Sequence, residues 1–332
     1  MAAYTAIDDP SAYFKVQLYT GDGSVQAIAF DDTDTDMQPD AVWIKNRDTT
    51  DTHLIFDSVR GATNYVTPNE HPNPTEVTDD DTLTAFGSDG FTVGDDDKVN
   101  TNTEKYVAWC WKESATAGFD IVSYSGNSTN RTIAHSLSAI PHFYFVIARG
   151  DDNRADTYHH RNTDAPETDY LIITYYNATN DNDAIWNDTA PTSSVFGLGT
   201  GNEVNDTGNT YIAYLWSEKQ GFSKFGSYEG NGNADGTFVY TGFRPAFVMT
   251  KSTDSTSSWH MFDNKREGYN VDNDALVGED TTAEATTDMI DLLSNGFKCR
   301  ITTDPNVAET YIYIAFAEAP FVNSNGVPCN AR

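Results

Sequence analysis

Four short blocks recur three times in the same order, and no other feature of the chain limits its fold as strongly. Tyr106–Glu113 (YVAWCWKE) returns as Tyr211–Glu218 (YIAYLWSE) and Tyr311–Glu318 (YIYIAFAE), at offsets of 105 and 100 residues. LYTGDGS from Leu18 returns as SYSGNST from Ser123 and SYEGNGN from Ser227. The run opening at Pro39 (PDAVWIK) pairs with those at Pro141 and Pro245, and SDGFTVG from Ser88 pairs with SSVFGLG from Ser193 and SNGFKCR from Ser294. The register divides the chain at residues 1–116, 117–220 and 221–332, the last with a tail ending GVPCNAR. Only the short links SATAG and KQG join the copies, so neighbours are expected in contact rather than tethered.

Each block is an extended run bounded by Gly, Asn, Asp, Ser and Pro, which predicts strands joined by hairpins. Helical periodicity is nearly absent; only Thr281–Leu293 could hold a helical turn or two. The expected fold is all-β, as three tandem antiparallel β-sandwich or jelly-roll-like modules of about 100 residues each. One strand per copy departs from the alternation of a half-exposed sheet. Val107, Trp109 and Trp111 share one face, Tyr106, Ala108 and Cys110 the other, and both faces are apolar. Such a strand needs cover on both sides. The second cover could be loops, the next copy or another subunit, which suggests a homo-oligomer, most simply a trimer, or a pseudo-threefold within one chain.

Composition removes several functions. With 50 Asp and Glu against 20 Lys and Arg, the net charge of −30 repels phosphate backbones and anionic membrane surfaces, so neither nucleic acid nor membrane insertion is expected. No apolar run reaches the roughly 18 residues of a spanning helix, and the opening MAAYTAIDDP lacks an export-leader pattern, so synthesis in the cytoplasm is expected. Three widely spaced cysteines make no disulfide framework. Cys110 aligns with Leu215 and Ala315, and Cys299 with Val93 and Leu198, so both read as apolar core residues.

The chemistry-bearing residues are few. Glu113, Glu218 and Glu318 recur at one position, which suits a repeated structural task better than one catalytic centre. No phosphate loop, nucleophile elbow or dinucleotide fingerprint occurs, and no catalytic residue or cofactor is assigned. Asp32, Asp34 and Asp36 begin like a calcium loop, but Met37 and Trp43 occupy its glycine and glutamate places. No metal site is assigned, and a loosely bound calcium among the Asp31–Asp36, Asp79–Asp81 or Asp95–Asp97 clusters is the most these acids suggest. His159 and His160, in the run Tyr158–Arg161, point to opposite faces if extended, so a solvated loop rather than a metal pair is expected. Because a residue that breaks a repeat is poorly explained by a shared core, His159, His160 and Trp259 are the candidate ligand contacts.

The opening TAIDDPSAYFKVQLYTGDGS, the runs PDAVWIKNRD and FDSVRGATNY, the strand KYVAWCWKESATAGFDIVSY and the stretch from GFSKFGSYEGNGNADGTFVYTGFRPAFVM to YIAFAEAPFVNSNGVPCNAR resemble repeat proteins encoded by tailed phages of marine bacteria. The resemblance spans nearly the whole chain; the second copy departs most, with YHHRNTDAP where the others carry FDSVRG and FDNKRE. It implies a structural protein on the virion surface, in contact with other virion proteins. The expected role is host recognition, as a tail-fibre or receptor-binding component contacting cell-surface glycan. A capsid decoration or head-fibre protein is the alternative, and a polysaccharide-depolymerising tail enzyme the second.

Overall fold

The computed structural model of the chain describes residues 4–31, 35–69, 76–150, 154–266 and 274–329. It is all-β, built from antiparallel sheets. Three large sheets each place one strand between two partners: Lys105–Trp111 between Phe14–Thr20 and Ala41–Asn46, Thr210–Trp216 between Phe119–Ser125 and Phe143–Ala148, and Thr310–Pro320 between Ser223–Glu229 and Phe243–Ser252. Against each lies a smaller sheet, formed by Gln26–Ala29, Leu83–Gly87 and Gly90–Val93, then Arg131–Ala134 with Val195–Leu198, then Phe238–Tyr240, Ile290–Leu293 and Gly296–Cys299.

The repeated letters become repeated bonds. Tyr19, Tyr124 and Tyr228 pair across the strands with Tyr106, Tyr211 and Tyr311, their rings stacked at 5.0, 5.2 and 5.2 Å. Two residues after each comes Gly21, Gly126 or Gly230, where a Cβ would stand 2.2 Å or less from the carbonyl oxygen of Thr101, Asp206 or Val307. Only glycine fits so close an approach. Buried Asn100, Asn205 and Asn306 lock the same corner, each donating at 2.7 Å to a carbonyl, that of Gly94, Gly199 or Ile301.

One face of each large sheet packs on its small sheet. Tyr106, Ala108 and Cys110 meet Ile28, Phe91 and Val93, and the other two pairs follow suit, with Cys299 buried in the third. The opposite faces of all three large sheets bury one another in a single shared core. Trp111 lies 5.9 Å from Trp216 and 5.8 Å from Phe316, and these aromatic strand ends leave a void of only about 20 Å³. The second apolar face of each central strand is thus covered by the other sheets of the same chain. Of the covers expected for that face, the neighbouring copies within the same chain supply it, so the face by itself does not call for a second copy.

Contacts between the sheets are cyclic. Asp57, His159 and Asp263 occupy one register position, opposite Ala41, Phe143 and Phe247. The Tyr214 hydroxyl donates to Asp57 Oδ2 at 2.7 Å, Trp109 Nε1 donates to Asp263 Oδ2 at 3.1 Å, and His159 Nε2 lies 3.2 Å from the Tyr313 carbonyl oxygen. Alongside, the backbone N–H groups of Glu76, Thr179 and Glu284 donate to the carbonyls of Arg149, Thr253 and Arg47 at 3.1, 3.0 and 3.0 Å. First sheet therefore meets second, second meets third and third meets first. Two of these contacts are charged: Arg60 pairs with Asp57 at 2.5 Å and Arg149 with Glu76 at 2.7 Å, as Arg266 pairs with Asp263 at 2.6 Å and Arg47 with Glu284 at 2.7 Å. The contact between second and third sheets is neutral, with Thr179 Oγ1 donating to Asn162 Oδ1 at 2.6 Å.

The helical expectation for Thr281–Leu293 fails. Ile290–Leu293 is a strand, with Ile290 and Leu292 alternating into the core, and Glu284 is held by Arg47 and Arg266. The described helices are single turns, such as Asp97–Asn100, where Asp96 Oδ1 accepts from Lys98 N–H at 2.8 Å. Among the described residues, no helix is long and apolar enough to cross a membrane.

Candidate functional site

The three residues singled out for breaking the repeat all lie on the boundary between the second and third sheets, and not in an open surface loop. His159 ends the buried strand Asp156–His159 rather than occupying a solvated loop. Its Nε2 faces the Tyr313 carbonyl, its Nδ1 accepts from Arg161 N–H at 3.1 Å, and burial pulls its pKa well below the usual value. His160 is half-buried, with Nε2 2.7 Å from the Phe225 carbonyl oxygen and its pKa lowered to about 4, chiefly by burial. Trp259 is fully buried and shares its N–H between the carbonyls of Ile172 and Tyr175, at 3.0 and 3.1 Å. All three join the second sheet to the third. His159 and Trp259 are therefore buried rather than open to a ligand, and the Nε2 atoms of His159 and His160 and the Trp259 N–H face the neighbouring sheet.

The recurring glutamates mark the ends of the central strands. Glu218 pairs with Lys224 at 3.0 Å, and Arg244 Nη2 donates to Glu318 at 2.8 Å. Glu113 instead faces Asp120, which stands where the third copy has Lys224; burial, then Asp120 and Asp40, raise its pKa to about 7. Of the acidic runs, Asp32 and Asp34 lie outside the described residues. Asp79, Asp80 and Asp81 bring oxygens within 4.8 Å of one another, and like charges from Asp95 and Asp80 push the Asp81 pKa up. An exposed acidic cluster alone specifies no ion.

An open cleft lies beside the Glu218–Lys224 pair. It encloses about 440 Å³ between the link of the second and third sheets, the third small sheet, and the segments around Tyr4 and Phe321. Ala6 N–H donates to the Gln220 carbonyl at 2.9 Å and Phe321 N–H to that of Gly242 at 3.3 Å, fixing both segments against the link and the sheet. Gly221, at φ +77°, lets the chain pass Thr5, since a Cβ there would meet Thr5 Oγ1 at 2.4 Å. Tyr4 and Tyr240 are each 57% exposed, and Gln220, Ser223 and Thr241 complete the polar wall.

Tyr240 was missed by inspection of the sequence, although the repeat contains the signal. It pairs with Gly296 as Ala29 pairs with Gly90 and Ala134 with Val195. Two residues earlier, Phe238 replaces Ala27 and Thr132. An edge strand that is small or polar in two copies thus carries two exposed aromatic rings in the third. The cleft offers flat apolar rings, a carboxylate, an ammonium, an amide and hydroxyls within one volume, a combination suited to a ligand with one apolar face and many hydroxyls.

A family model described as a domain of unknown function (DUF7483) matches residues 9–320. No curated protein matches the chain.

Proposed function

The chain belongs to that DUF7483 family, whose description assigns no activity, and from its own geometry we propose that it is a non-enzymatic, glycan-contacting surface protein. The observation that carries this is the cleft at Tyr240: the exposed rings of Tyr240 and Tyr4 beside an ion pair and amide and hydroxyl groups. A sugar ring laid on Tyr240 or Tyr4 keeps its C–H face on the aromatic surface. Its hydroxyls then meet Glu218, Lys224 and Gln220. The resemblance of the repeated blocks to phage repeat proteins supports a place on a virion, with host recognition as the role. The net charge of −30 suits an exposed, soluble surface.

A glycan array probed with the full chain tests the proposal, with Tyr240→Ala as control. One lost ring contact is worth about 1.5 kcal/mol, so retained glycans should bind roughly tenfold more weakly to the variant. Absence of glycan binding, or equal binding by the variant, would sink it. A virion map placing the protein on the capsid lattice would replace host recognition with decoration.

A further inference from the structure

A second concavity, of about 370 Å³, opens where the second sheet meets the third. Ser257 N–H donates to the Tyr176 carbonyl at 2.9 Å and so joins its two sides. The walls carry the hydroxyls of Thr256, Ser258 and Thr303, the Asp304 carboxylate and the exposed ring of Tyr176. Asp304 Oδ1 accepts from the Tyr311 hydroxyl at 2.5 Å, which fixes its orientation. His260 lines the same space and is more than nine-tenths buried.

The repeat shows that His260 is not a scaffold requirement. It pairs across the strands with Thr250; the first copy has Leu54 opposite Ile44, and the second has Asp156 opposite Val146. The first pair is apolar, and in the second Asp156 Oδ1 is held by Arg154 at 2.6 Å while Oδ2 has no hydrogen-bond partner among the described residues. In the third copy the Ser258 backbone bonds the His260 ring and Tyr228 the Thr250 hydroxyl, which leaves His260 Nδ1 without a hydrogen-bond partner among the described residues. A buried polar atom without a partner is costly, and one on a side chain that lines a hydroxyl-walled cavity calls for a partner from outside. Burial lowers the His260 pKa to about 4, against the pull of Asp304, so its ring is neutral at pH 7 and one nitrogen accepts.

We infer that this cavity is a second carbohydrate subsite, in which His260 accepts a sugar hydroxyl, Asp304 a second, and Tyr176 borders the apolar face of the ring. The inference deepens the glycan-contacting function proposed above and rests on it for the ligand class, but it uses none of the residues of the Tyr240 cleft.

The test titrates the full chain with methyl glucoside, methyl galactoside and methyl mannoside, and follows the imidazole signals of His260 by NMR. At least one hexoside should shift them. His260→Leu, which installs the residue of the first copy, should bind that sugar about tenfold more weakly at this site, as expected for one lost hydrogen bond to a buried partner. If His260→Leu does not fold, Thr303→Val on the exposed rim serves in its place, and weaker binding with an unchanged circular dichroism spectrum is then expected. Unmoved His260 signals, or unchanged affinity in the folded variant, would overturn the subsite. Loss of all sugar binding on Tyr240→Ala alone keeps the cleft and rejects this cavity. Loss on His260→Leu alone does the reverse.

Discussion

Tyr214→Phe isolates the contact between the first and second sheets. The Tyr214 hydroxyl donates to Asp57 Oδ2 at 2.7 Å and accepts from Arg60 Nη2 at 2.9 Å, and the Asp57 and Arg60 side chains are fully buried. Phenylalanine keeps the ring in the shared core and removes only the oxygen. Neither ion is stranded, since Asp57 keeps Arg60 Nε at 2.5 Å and Arg60 Nη2 keeps the Ile55 carbonyl at 2.8 Å. The loss is therefore below the roughly 3–5 kcal/mol of breaking a buried ion pair. Hydrogen bonds to charged partners are worth about 1.5–3 kcal/mol each, and two sharing one oxygen are not additive, so about 2–3 kcal/mol is expected. Urea unfolding followed by tryptophan fluorescence and far-ultraviolet circular dichroism reads this out. Both transitions should move together to lower urea with an unchanged slope. A change below about 0.5 kcal/mol, the size of an ordinary surface substitution, would refute the claim that this cluster couples the sheets. Separated transitions would refute the single shared core.

Two further changes probe buried titrating groups. Lys251 and Lys45 have pKa values lowered to about 8, mainly by burial, and the equivalent residue of the second copy is Ile147. As pH falls from about 10.4 the unfolded chain protonates first, so each lysine removes stability down to about pH 8 and none further below it. Lys251→Ile should raise stability at pH 7 by about 2 kcal/mol and flatten that part of the profile; an unchanged pH 8–10 slope relative to wild type would count against it. Glu113 has its pKa raised from 4.5 to about 7, so the stability it contributes is complete below pH 4.5 and fades as pH rises through 7. In Glu113→Gln the urea midpoint should lose that decline between pH 4.5 and 7, and a parallel profile in wild type and variant would refute it.

Much of the fold was legible because repetition multiplies weak signals. The two apolar faces of Tyr106–Trp111 required two covers, and the aligned Cys110, Leu215 and Ala315 required one shared slot; both are met. What covered the second face was not legible, since an apolar stripe does not say whether its partner belongs to the same chain. The buried asparagines at 100, 205 and 306 precede their central tyrosines by six, six and five residues, a signal as regular as the glycines but hidden in Asn-rich loops. Tyr240 escaped notice for a similar reason, because its short edge strand has no motif of its own and only cross-strand pairing aligns it with Ala29 and Ala134.

His159 teaches how a broken repeat should be weighed. It stands where Asp57 and Asp263 stand, and the third-copy equivalent of their partners Tyr214 and Trp109, both of which can donate a hydrogen bond, is Ile314, which cannot through its side chain. An aspartate there would be a buried carboxylate without its donor, so the Asp–Arg pair gives way to His159 and Asn162, and Thr179 and Thr253 replace Glu76 and Arg149. The departures come as a set on both sides of one internal contact, and each is explained by its counterpart. A departure without a counterpart is the informative kind. Tyr240 exposes a ring where two copies have alanine, and His260 buries a ring nitrogen, Nδ1, that no described residue answers. Both are departures for which this chain supplies no structural reason, and both line an open concavity at the boundary of the second and third sheets.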